Sequence, residues 1–286
     1  SVLHQRRLDG HAAAEFTQMD GGAGRTGGQD GGPMLTAADR RPWIVTCRRG
    51  DGLRLICFPY AGGGPSLFRG WPLELSQQVE VCAVQLPGRE ARMKEPPIGD
   101  LRRLVVELAD AIEPSLDRPF ALFGHSVGGL VAFEFARELR RRYGIEPVHL
   151  FVSGCPAPEL TDDERLSELP DGEFLERMRR FNGTPREILE HAEMMELVLP
   201  TLRADFSLRD TYRHRTESPL GCAISAFGGM ADRAVGVDKL NPWSAHTTGG
   251  FQLWLFQGDH FFVRTAQAAV VETVMLLLQP YVSPRL

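Results

Sequence analysis

The chain has 286 residues, of which 43% are hydrophobic and 24% charged, and its formal net charge is −5. That length supports one large α/β domain or two small ones, and the mildly acidic balance gives no basic footprint for a nucleic-acid partner. No apolar run reaches membrane-spanning length, because even VVETVMLLL (270–278) is interrupted by Glu272.

Residues 1–40 are glycine-rich, as in GGAGRTGGQDGG, and offer almost nothing to bury, so they are expected to be disordered and to carry no chemistry. A basic start followed by an apolar core is missing there, so no secretory signal is expected. The five cysteines (Cys47, Cys57, Cys82, Cys155, Cys222) are scattered and form no CxxC or metal-ligand spacing. Four of them lie in or at the end of strand-like runs, where cysteine serves as a small buried hydrophobe. A reducing, cytoplasmic compartment fits that usage.

From residue 41 onward strand-like and helix-like stretches alternate. The predicted strands are LRLICF (53–58), VEVCAVQL (79–86), PFALFG (119–124), VHLFVSG (148–154), CAISAFG (222–228) and FQLWLFQ (251–257). They are near-continuously apolar, as parallel strands covered on both faces must be. Asp100 caps a helix over LRRLVVELADAI, and Val127, Val131, Phe135 and Leu139 mark a second helix with Gly144 as its exit. A last helix is expected at about 266–279, before Pro280. The alternation breaks between 158 and 217, which reads as short helices over SELPDGEFLERMRRF, TPREILEHAEMMELVL and LRADFSLRDTYRHR. The expected architecture is therefore a single α/β domain over 41–286. It has a mostly parallel central sheet, flanking helices and a helical lid insertion at about 158–217.

The stretch FALFGHSVGGLVAFEF (120–135) places Ser126 between an apolar strand and a helix, with glycines at 124, 128 and 129. G-x-S-x-G alone is a weak signal, but strand-before and helix-after is the setting of a nucleophile elbow, where a tight turn raises the hydroxyl above the sheet edge. The competing reading is a structural serine at a glycine-rich bend. A serine nucleophile needs a base, and the base an orienting acid, in the order Ser, acid, His on an α/β-hydrolase sheet. His260, just past the last strand in QGDHFF, takes the base position. His246 precedes that strand, and His125 adjoins the serine on the turn, where it is expected to pack locally. Asp232, in the turn after CAISAFG, is the expected acid; Asp238, Asp259 and Glu159 are less well placed. The developing oxyanion needs backbone donors, for which the N–H of Val127 and, in the loop CFPYAGGGPS, that of Ala61 are the candidates.

At this point the motifs CFPYAGGG, LPGRE with EPPI, GHSVGG, LPDGEFLERMRRFNGTP, LPTLRADF and GDHFF, in that order, resemble the stand-alone type II thioesterases of polyketide and nonribosomal peptide synthesis. The resemblance runs from about Trp43 to the C-terminus. It implies hydrolysis of acyl groups held as thioesters on the phosphopantetheine arms of carrier proteins, an editing role. It makes Ser126 the nucleophile, His260 the base and Asp232 the acid, with Ala61 and Val127 lining the oxyanion hole. No metal or organic cofactor, nucleic acid or membrane is implied, and a monomer is expected. Such a family commonly has proline after the acid, whereas here Arg233 follows. Arg177, Arg179, Arg180 and Arg186 in the lid are candidates for docking an acidic carrier, or equally a solvated helix face. A general carboxylic-ester hydrolase or an acyltransferase of the same fold is the alternative.

Overall fold

The computed structural model describes residues 42–71, 75–160, 165–181 and 192–282, so the glycine-rich segment 1–40 and its expected disorder lie outside the described residues. Seven strands form one sheet: β1 (Ile44–Arg48), β2 (Leu53–Phe58), β3 (Val79–Val84), β4 (Phe120–His125), β5 (His149–Ser153), β6 (Ala223–Gly229) and β7 (Phe251–Phe256). Their order is β1-β3-β2-β4-β5-β6-β7. All pairings are parallel except β1 with β3.

The six predicted strands are present, each within two residues of its expected ends. β1 was not anticipated. It is a five-residue edge strand, only half-buried, whose sequence IVTCR lacks the continuous apolar signature of the inner strands. Inside the sheet, successive residues serve opposite faces. On β2, Ile56 and Phe58 enter one core with α1 (Leu101–Ile112) and α2 (Val127–Tyr143). Leu53, Leu55 and Cys57 enter the other, which is closed by α5 (Gln267–Leu278). Two covered faces leave no position on an inner strand for a charge without a partner, hence the near-continuous apolar runs, in which Arg54 of β2 pairs with Glu80 of β3 at 2.6 Å.

Helix boundaries follow their caps. The side chain of Asp100 accepts the backbone N–H of Arg103 at 2.7 Å, a bond worth about 1 kcal/mol in such positions. Gly144 ends α2 in the left-handed conformation. Between β5 and β6 lie α3 (Asp171–Phe181) and α4 (Ala192–Asp210). The stretches ending at Leu199 and starting at Leu202, read as separate helices, belong to one: α4 runs through Pro200. Proline removes one helical hydrogen bond, and here burial of Thr201, Leu202, Asp205 and Leu208 on the inner face of α4 outweighs that loss. The helix stops at Asp210, so TYRHR is not helical as expected. Residues 182–191, which include the expected helix start at TPREIL and Arg186, lie outside the described residues.

The lid helices have their own small core of Leu166, Phe174, Met178, Met195 and Leu202. Farther along α4, Leu208 belongs to the main core. Met194 is exposed. Among the described residues no helix is long and apolar enough to cross a membrane, and no cluster of His, Cys, Asp and Glu could hold a metal ion. The five cysteines are free thiols, and all but Cys47 are buried.

Candidate active site

Strand order sets the location of the site. The chain leaves β2 toward β3 on one side and continues from β4 toward β7 on the other, so the carboxyl ends of β2 and β4 flank a crevice. Such a topological switch point is where open α/β sheets bind ligands. The loop after β2 carries Ala61, the turn after β4 carries Ser126, and the loops after β6 and β7 carry Asp232 and His260.

Ser126 sits at φ 54°, ψ −124°, one of two non-glycine residues with positive φ among the described residues. A conformation that side chains rarely adopt costs on the order of 1–3 kcal/mol and persists only where surroundings enforce it. The enforcement is visible. The Ser126 N–H donates to the Ser153 carbonyl at 2.7 Å, and the Gly129 N–H donates to the Ser126 carbonyl at 2.9 Å. A Cβ on Gly128 would collide with the carbonyl oxygens of Pro59 and Phe58, so only glycine lets α2 start this close to the β2 loop.

Asp232, His260 and Ser126 form a continuous relay. His260 Nδ1 lies 2.7 Å from Asp232 Oδ2, and His260 Nε2 lies 3.1 Å from Ser126 Oγ. A carboxylate facing Nδ1 holds the ring proton there, which leaves Nε2 as the acceptor for the serine hydroxyl. The Asp232 side chain is fully buried. Burial alone would raise its pKa, but the hydrogen bond and charge of His260 and the N–H groups of Ala234 and Val235 outweigh that and hold it below the usual value. Oδ1 accepts those two N–H groups at 2.8 and 3.1 Å, an Asx-type turn. That turn fixes the carboxylate without the proline for which Arg233 stands.

The other histidines and acids fall outside this relay. His125 is buried, its Nδ1 paired with Ser153 Oγ at 2.9 Å, and burial with the neighbouring His260 pushes its pKa well below 6.5. It is thus a neutral packing residue beside the relay, as its place on the turn suggested. His246 pairs with Glu159 at 2.7 Å. Asp259 caps its own turn by accepting the Phe261 N–H at 2.9 Å.

Ser126, His260, Ala61 and Val127 all line one cavity of about 240 Å³. Its remaining walls are largely apolar. Leu130 and Ala157 come from the body, and Leu160, Leu166, Met178, Leu202 and Phe206 from the lid segment. Arg209, Arg233 and Lys239 add positive charge to the lining. Two further residues that were not singled out from the sequence, Arg89 and Asp205, bracket the Ala61 loop from behind. They lie in LPGRE and LPTLRADF, two of the motifs that carry the resemblance, and a carboxylate on the buried face of α4 needs a partner.

A thioesterase-domain family model matches residues 53–276. The chain belongs to the thioesterase family. Among its relatives, the linear gramicidin dehydrogenase LgrE of Brevibacillus parabrevis is 46% identical over 231 residues, covering 79% of this thioesterase and 88% of LgrE. The solved structure of RedJ, a thioesterase of the prodiginine biosynthetic pathway in Streptomyces coelicolor, is 39% identical. It covers 78% of this chain and 89% of RedJ, with a TM-score of 0.75. BorB, the type II thioesterase of the borrelidin biosynthetic cluster, is 34% identical over 82% of this thioesterase and 97% of its own chain, also with a TM-score of 0.75. The fold is accordingly that of the α/β-hydrolase thioesterases.

Proposed function

We propose that this thioesterase hydrolyses acyl groups held as thioesters on the phosphopantetheine arms of carrier proteins, releasing stalled or aberrant units in polyketide or nonribosomal peptide synthesis. The observation that carries the reading is the Asp232–His260–Ser126 relay opening into an apolar cavity roofed by lid helices. Relatives named for such pathways support the choice of substrate.

The mechanism follows from the geometry. His260 Nε2 takes the Ser126 proton as Oγ attacks the thioester carbonyl, and buried Asp232 stabilises the imidazolium. The oxyanion is received by the N–H groups of Val127, at the start of α2, and Ala61. Each such donor lowers the barrier by about 3–4 kcal/mol. The intermediate collapses by breaking the C–S bond, and the departing pantetheine thiolate, whose thiol has a pKa of about 8.5, takes the proton from His260 and leaves the ring neutral. Water activated by the same histidine then attacks the acyl-enzyme, and His260 returns the proton to Ser126. These steps call for no metal or organic cofactor and use residues of one chain, so a monomer suffices. Arg179 is exposed on α3 and available to an acidic carrier, while the side chains of Arg180 and Arg186 lie outside the described residues.

The name of LgrE carries a dehydrogenase activity, but neither the turn after β2 (YAGGGPS) nor that after β4 (GHSVGG) has the G-x-G-x-x-G spacing of a dinucleotide site. The test is Ser126→Ala assayed on an acyl-carrier protein. It is expected to lower the release of free acid by about 10⁴-fold or more, with the melting temperature preserved. Parent-like hydrolysis by this variant would sink the assignment of the nucleophile. Equal turnover of simple oxygen esters and carrier thioesters by the parent would instead point to a general ester hydrolase.

A further inference from the structure

Arg89 lies in LPGRE after β3, and Asp205 lies on the inner face of α4 in LPTLRADF. They are 5% and 1% exposed. The guanidinium grips the carboxylate with both forks, Nη1 to Oδ2 at 2.7 Å and Nη2 to Oδ1 at 2.8 Å. Both partners also hold the glycine loop. Asp205 Oδ2 accepts the backbone N–H of Gly62 at 2.7 Å, and Arg89 Nη1 donates to the Gly63 carbonyl at 3.1 Å. Gly62 has φ 74°, and a Cβ there would stand 2.6 Å from Leu202 of α4. Next to the ion pair, Thr201 Oγ1 donates to the Gly88 carbonyl at 2.7 Å.

The same loop is held from its far side. Glu90, the other non-glycine residue with positive φ, accepts the Ser66 N–H at 3.1 Å and its hydroxyl at 2.7 Å. Residues 62–66 are therefore clamped at both ends by the LPGRE turn, and at one end by the lid helix as well. A glycine-rich loop has many accessible backbone conformations, and only external bonds select one. The peptide plane whose N–H Asp205 accepts is the one joining Ala61 to Gly62. Rotation of that plane would swing the adjoining Ala61 backbone.

We infer that Arg89 and Asp205 are positioning residues for the oxyanion pocket, an ion pair between the LPGRE turn and the lid helix that aims the Ala61 N–H at the reacting carbonyl. The inference rests on the acyl-transfer reading of Ser126 and Ala61 given above. It makes α4 part of the catalytic apparatus as well as a cover: the helix that roofs the cavity also sets one of its two oxyanion donors.

Truncating one partner to an apolar residue would leave a buried charge with no polar partner, whereas replacing both with apolar residues of similar size removes the two charges together, and an amide at 205 keeps polar contacts for both Arg89 and Gly62. The decisive variant is therefore Arg89→Met/Asp205→Leu, with Asp205→Asn beside it as the conservative change that keeps an acceptor for Gly62. Hydrolysis of a short-chain acyl N-acetylcysteamine thioester is measured together with the affinity of an alkylboronic acid, which forms a tetrahedral adduct on Ser126. A misaimed donor should lower kcat about 10- to 100-fold in the double variant. KM should stay within about threefold, boronate affinity should fall by the same factor as kcat, and Asp205→Asn should lie between. A merely structural role would change the melting temperature without this match between kcat and boronate affinity. A folded double variant with kcat and boronate affinity within about threefold of the parent overturns the inference. If the double variant does not fold, Asp205→Asn decides by the same criterion, with parent-like values counting against. A parent protein inert toward the thioester but able to bind the boronate would fail the functional reading alone, and the boronate ratio would still decide on Arg89 and Asp205.

Discussion

The floor of the cavity and its roof are built differently. The floor, at the carboxyl ends of β2, β4, β6 and β7, is specified by backbone: Ser126 at positive φ, Gly128 against two carbonyls, Asp232 held by two N–H groups. The roof over the acyl space is specified by side chains such as Met178, Leu202 and Phe206, which pack in a core of their own. A backbone-built surface tolerates almost no change, because its atoms have nowhere to move. Leucine and methionine can change rotamer and admit different chains. The Asp232–His260–Ser126 relay thus lies on the rigid wall and the adaptable side chains on the other, with Asp205 of α4 joining the two through Gly62.

The largest effect after loss of the nucleophile itself should come from Asp232→Asn on the floor. With the amide facing His260, the ring loses its orienting carboxylate, and kcat should fall by about 10³–10⁴-fold while the fold survives, as circular dichroism would show. A smaller loss would mean that another group orients His260. Next is Gly128→Ala, where a single methyl must push α2 away from Pro59 and Phe58. Stability in urea should drop by about 1–3 kcal/mol, and activity should fall further than stability explains. A neutral outcome would break the contrast between the two walls. The roof should answer more gently. Met178→Ala enlarges the acyl space, so kcat/KM should move toward longer acyl chains, with the change on short chains within about tenfold. A uniform loss across a chain-length series would place Met178 on the floor's side of the comparison.

The smallest effect on activity lies at the opposite end of β5, away from both walls. His149 is buried and stacked on Phe151, with Nε2 paired to Ser225, and burial lowers its pKa to about 4. The unfolded chain binds a proton near pH 6.5 and the folded chain does not until about pH 4. The neutral histidine's contribution is therefore complete above pH 6.5 and lost as pH falls toward 4. Urea titrations across that window should show stability falling, and His149→Leu should reduce the slope. An unchanged slope would assign the acid sensitivity elsewhere, with buried His125 the first alternative.

The floor was largely legible in the sequence and the roof was not. GHSVGG between a strand and a helix, an aspartate after the penultimate strand and a histidine after the last are local signals, and the structure brings Ser126, Asp232 and His260 into one relay. The inner strands were legible because both faces are covered. β1 was missed because an edge strand needs no such pattern. The passage of α4 through Pro200 was missed because tertiary burial overrode a local rule. Arg89 and Asp205 were missed for another reason. Each sits in a motif that is unremarkable alone, a Pro-Gly turn and a lid helix, and nothing local couples residues so far apart in the chain.

The positive φ of Ser126 has a consequence for the protein as a whole. Glycine would occupy that turn with less strain, so on backbone grounds a sequence selected only for stability would not keep a serine there. The working sequence is then not the most stable one for this fold. The rest of the fold, with its two cores and the clamped loops around the elbow, must hold enough reserve to keep the strained turn in place through every catalytic cycle.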